Sequence, residues 1–186
     1  MAFHLFSGVG EETHYTETLC NFIRDLKYED IPPEVLERAK GIAMQTIGAS
    51  LAVNGIPVAE KAVALGKLCG GAGDGPATMW IDGRKSTIPG AVFCNSTLAD
   101  ALDWEDCAWT GHPSAGIVPV ALACAEAEHK SGKDFLTAIV AAYEVYTRIA
   151  MAVQPPEIWP SYKGWGLTTW QIFGAIVPAA KLMGLN

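Results

Sequence analysis

Residues 30–55 read DIPPEVLERAKGIAMQTIGASLAVNG. Two prolines stand where a helix can begin, because a first-turn residue has no use for its amide hydrogen. Val35, Leu36, Ala39, Ile42, Ala43 and Ile47 then recur on one helical face, and Asn54-Gly55 ends the run. A long helix with one apolar stripe must bury it against other elements. The fold is therefore expected to be helix on helix.

The same reading extends in both directions. Upstream, Leu19, Phe22, Ile23 and Leu26 place an amphipathic helix over Thr16–Leu26. Downstream, a third helix is predicted from Val58 to Leu68, stopping at Cys69-Gly70-Gly71, with a loop from Gly70 to Pro76. Ala77–Trp80 and Ser86–Ile88 flank Asp82-Gly83, a hairpin signal. Helix returns from Pro89 to Leu102 and breaks at Asp103–Pro113. Ser114 is placed as the N-cap of an apolar helix, Ala115–His129, that contains Pro119. Two more helices follow, Asp134–Val153 and Leu167–Met183, the latter expected to kink at Pro178, with a loop from Gln154 to Gly166 between them. The expectation is an all-α fold: a bundle of six to seven helices with one small β-hairpin, in a single domain over residues 1–186.

Composition narrows the function. A formal net charge of −7 without a Lys/Arg cluster argues against nucleic-acid binding, which needs cations to neutralise phosphates. Five scattered cysteines without a CxxC pair suggest neither a disulfide framework nor a zinc ribbon, so a reducing cytoplasm is expected. The N-terminus lacks the basic and apolar regions of a signal peptide, and no uncharged apolar run suggests a membrane span. Charged residues make up 18% of the chain, and the final helix ends in Gly184-Leu185-Asn186. Low charge of this kind points to apolar faces left for an interface.

The order of motifs is similar to that of the MmgE/PrpD family, whose members include 2-methylcitrate dehydratase and cis-aconitate decarboxylase. Gln45-Thr46-Ile47-Gly48 with Leu51-Ala52, Asp103-Trp104-Glu105-Asp106, His112-Pro113-Ser114, Tyr143-Glu144-Val145 with Arg148, and Lys163-Gly164-Trp165 with Thr168 and Thr169 resemble its motifs in sequence order. The resemblance implies a helical large domain working with an α/β lid, usually in a homodimer, on small di- or tricarboxylates and without metal or organic cofactor. It also implies that Asp103 and His112 are the active-site residues of this region.

A histidine titrates near neutral pH and can give or take a proton there. His112 is accordingly read as the acid–base group, oriented by Asp103 or Asp106. Ser114 would turn the amides of Ala115 and Gly116 toward a substrate carboxylate. Cys107 stands where the family has a threonine and is read as a substituted weak donor, or as buried filler. Lys163, Thr168 and Thr169 are placed at a second carboxylate-binding helix start, where Gly166 replaces a family histidine. The acids Asp100, Asp103, Glu105 and Asp106 have no oxygen-ligand loop spacing, so no metal is expected, and Trp104 and Trp109 are read as a packed wall. The expected activity is elimination of water from a small hydroxy-carboxylate, with decarboxylation or epimerisation on the same site as the alternative. Because family members run longer, the chain is read as one part of an enzyme completed by a second polypeptide or further segments, or as a non-catalytic subunit of a split complex.

Overall fold

The computed structural model describes residues 14–70, 73–108, 111–153 and 170–185. Among these, the elements are α1 (Tyr15–Asp25), a 3-10 turn (Tyr28–Asp30), α2 (Pro33–Ala52), α3 (Pro57–Gly70), β1 (Ala77–Thr78), β2 (Lys85–Ser86), α4 (Ile88–Asp100), α5 (Ser114–Ala127), α6 (Gly132–Val153) and α7 (Gln171–Leu182). The fold is thus the predicted helical bundle with one hairpin. The predicted loop 154–166 and the first residues of the predicted last helix, 167–169, lie outside the described residues.

α5 is apolar on nearly every side and sits at the centre, packed by α2, α4, α6 and α7. A helix of that character must be covered all round. One core joins Ala39, Ile42 and Ala43 of α2 to Ile117, Val118 and Ala121 of α5, Ile139, Ala142 and Val145 of α6, and Val177 of α7. A second gathers Ala62, Met79, Ala91, Cys94 and Leu98 around α3, α4 and the hairpin. Alanines on facing positions bring the helix backbones close. At Gly174 the approach is tight: a Cβ there would meet Ile117 Cδ1 at 3.2 Å and Tyr146 Cδ2 at 3.3 Å. α6 is, by length and composition, apolar enough to cross a membrane. Here its Ala138, Ala142, Val145 and Tyr146 are buried within the bundle.

The hairpin is shorter than its sequence suggests. Ala77 pairs with Ser86 and Thr78 with Lys85, and the turn closes through Gly83 at φ 71°, a conformation glycine adopts without strain. Ile88 already belongs to α4, because the Thr87 hydroxyl accepts from Gly90 N at 3.2 Å and starts the helix there. Buried Asn95 ties α4 to this hairpin, accepting from Trp80 N at 2.9 Å and donating to Thr78 O at 2.9 Å. The arrangement fixes the C-terminal end of α4, from which the loop toward α5 departs.

Candidate active site

The loop between α4 and α5 leaves helical geometry through a turn in which Asp103 N donates to Asp100 O at 3.2 Å. Asp103 itself sits at φ 53°, a left-handed conformation that Asp tolerates better than most residues. Further on, Ala108 N donates to Gly111 O at 3.0 Å in an isolated antiparallel bridge. That bridge folds the loop back and sets Cys107 beside His112, Sγ to Nδ1 at 3.7 Å.

His112 is held on three sides. Its Nδ1 lies 3.2 Å from the Asp106 carbonyl, which can only accept; this contact assigns the ring proton to Nδ1 and leaves Nε2 as the base. Nε2 faces Asp103 Oδ1 at 3.9 Å. Its carbonyl accepts from Gln171 Nε2 at 2.6 Å, so the first residue of α7 pins the loop from the far side. The Asp103 side chain is 87% exposed, and solvent screening makes that pair an orienting contact rather than a source of stability.

Asp106, not Ser114, caps α5. Its Oδ1 accepts from Ser114 N at 3.1 Å and its Oδ2 from the Tyr143 hydroxyl of α6 at 2.7 Å. A carboxylate at a helix N-terminus satisfies free amides and complements the helix dipole. Pro113 takes the N-cap position without a side-chain bond, and Ser114 becomes the first helical residue. The Ser114 hydroxyl is buried near the Tyr143 phenol with no hydrogen bond of good geometry. Of the two amides expected to cradle a carboxylate, that of Gly116 is already engaged, donating to Pro113 O at 3.1 Å. Burial and the adjacent Asp106 charge push the Tyr143 phenol far above the ordinary tyrosine range, so it remains a donor at any working pH. Nearby, buried Trp170 donates from Nε1 to the Tyr146 hydroxyl at 3.0 Å, and burial pushes Tyr146 up to about 12.

The residue that sequence reading did not single out is Glu105. It is 8% exposed, and neither carboxylate oxygen has a hydrogen-bond partner among the described residues. Burial, then the neighbouring Asp100, pushes its carboxyl up to about 7, while His112 pulls the other way. One donor-type atom each from Asp103, Glu105 and His112 lie within 4.8 Å of one another. This is a spacing at which either a proton or a cation could be shared. The only sequence signal was membership of the acid run, and a loop has no periodicity to show which of four acids turns inward.

Two further readings are corrected. Cys107 is exposed rather than buried filler, and Trp104 is 62% exposed rather than part of a packed wall. Trp104 instead anchors the loop through its carbonyl, which accepts from Gln45 Nε2 of α2 at 2.7 Å. Lys163, Thr168, Thr169 and Trp109 lie outside the described residues. A cavity of about 570 Å³ where α1, α6 and α7 meet is lined by several lysines. Of these, Lys181 is bonded to Ile23 O and Leu26 O and Lys133 to Glu29, so two of the cations are already engaged.

A family model described as MmgE/PrpD N-terminal domain matches residues 17–186. The chain is also similar to "Cis-aconitate decarboxylase-like protein oryM" of Aspergillus oryzae (strain ATCC 42149 / RIB 40), 28% identical over 187 residues. The alignment covers 94% of this chain and 38% of that relative, so the chain spans about two-fifths of the relative's length.

Proposed function

The chain belongs to the MmgE/PrpD family, and from that membership we propose that it carries the acid–base half of a lyase that eliminates water from a small hydroxy-carboxylate. The observation that carries this reading is the fixed His112 ring: Nδ1 engaged by the Asp106 carbonyl, Nε2 beside the exposed Asp103. Nε2 takes the proton from the carbon next to the substrate carboxylate. The C–H electron pair forms the double bond, the C–O bond breaks, and the departing oxygen leaves with its pair and receives that proton as water.

Decarboxylation on the same site is the second reading, favoured by the name of the A. oryzae relative. In that case His112 protonates the carbon from which CO₂ has left. Either activity is proposed for the complete assembly, in which a second copy, a second polypeptide or further segments supply the remaining substrate contacts. Replacing His112 with Gln in that assembly is expected to abolish turnover of whichever di- or tricarboxylate is consumed, with the fold intact by circular dichroism. Full activity in the variant removes the proposal. Product analysis by NMR separates dehydration from decarboxylation, and native mass measurement shows whether a second polypeptide is bound.

A further inference from the structure

A buried carboxyl with two unpartnered oxygens is costly if ionised and idle if merely neutral. Glu105 is such a group, and a base stands near it on the same loop. His112 is within 4.8 Å, on the same loop and with its ring fixed. The other ionisable groups around it are Asp100 at the end of α4, Asp103, Asp106 and Cys107 on the loop, and Tyr143 reaching Asp106 from α6. All of these are acids, so among the described residues His112 is the partner able to neutralise an ionised Glu105.

We propose that Glu105 and His112 share one dissociable proton, so that His112 can be presented to substrate as either a base or an acid. In the transfer a rotation of the Glu105 side chain closes the gap to Nε2, the Glu105 O–H bond breaks, a His112 Nε2–H bond forms, and the electron pair stays on the carboxylate. The reverse transfer restores the neutral imidazole. The base form serves elimination and the acid form serves protonation of the carbon left by CO₂ loss; only this last step rests on the lyase reading. Glu105 is a positioning residue for the proton, since its oxygens are too buried to touch a substrate. The pushed-up carboxyl of Glu105, drawn down by His112 alone among the side chains around it, agrees with this geometry.

The test is infrared difference spectroscopy of the chain with ¹³C-labelled glutamate, which needs no substrate. A protonated-carboxyl band titrating near neutral pH is expected, absent in Glu105→Gln and shifted to higher pH in His112→Gln, where the imidazolium charge is gone. Absence of the band, or a titration unmoved by His112→Gln, overturns the proposal. So does stoichiometric binding of Zn²⁺ or Mn²⁺ that removes the band in the parent chain and is lost in Glu105→Gln, which would make Glu105 a cation ligand. In the active assembly, Glu105→Gln is expected to lower kcat by about 100-fold with KM little changed and Glu105→Asp to restore part of it. Unchanged kcat and pH profile in Glu105→Gln would also overturn it. A coupled titration with no turnover of any carboxylate would instead refute the lyase reading and leave the shared proton standing.

Discussion

The hydroxyl of Tyr143 donates to Asp106 Oδ2 at 2.7 Å while the other oxygen of the same carboxylate caps α5 through Ser114 N. One acid thus joins α6, α5 and the loop that carries His112. Asp106→Ala removes the cap and strands a buried phenol, and is expected to destabilise the chain by about 2–3 kcal/mol. Tyr143→Phe leaves the cap in place and costs less, about 1 kcal/mol. Urea denaturation of both single variants and the double variant checks this, because the shared bond makes the two effects less than additive.

Glu105 imposes a pH dependence of definite sign. Its folded carboxyl is pushed up to about 7 against an ordinary value of 4.5, so between these values the folded state holds a proton that the unfolded state has lost. Stability contributed by this group is therefore full below about pH 4.5 and declines as pH rises through 7, by about 3 kcal/mol at most. Glu105→Gln has no such proton to lose. Chemical denaturation at a series of pH values between 4.5 and 8 should show the decline in the parent chain and a flatter curve in the variant.

Lys181 closes the C-terminal end of α1. Its Nζ donates to Ile23 O at 2.6 Å and Leu26 O at 2.8 Å, carbonyls that a helix end leaves without intrahelical partners. Lys181→Met keeps the apolar stem and removes the donors, at an expected cost of about 2 kcal/mol. The loss should be local, read as faster amide hydrogen exchange across Tyr15–Asp25 than elsewhere in the bundle.

Gly174 sets how closely α7 approaches α5 and α6. Gly174→Val forces apart contacts already at 3.2–3.3 Å and is expected to destabilise by about 2 kcal/mol. Because Gln171, one turn earlier, holds the His112 carbonyl, the same displacement should lower turnover in the active assembly. Thermal unfolding and kcat together check it, and Gly174→Ala should do less on both.

The helices were legible because their signals are local. Pro32-Pro33 and the Leu36, Ala39, Ile42, Ala43 stripe place α2, and Asp82-Gly83 places the hairpin, through preferences that neighbouring residues express by themselves. The same holds for the break between α4 and α5, where acids, aromatics and a proline interrupt the period. His112 was legible for a different reason: its motif stands in the family's order.

Within that break, tertiary structure alone decided the roles. Ser114 reads as a cap from its neighbours, yet Asp106 takes the position because Tyr143, 37 residues away, fixes its second oxygen. Trp104 and Cys107 read as buried and are exposed, while Glu105, between them, is buried. The amino-acid sequence by itself determined the elements, their order and the segment proposed to hold the chemistry. Which carboxylate caps, which faces solvent and which is buried beside His112 was decided by α6 and α7 closing over the loop. An irregular backbone has no repeat to assign its faces, and only the groups packed against it can do so.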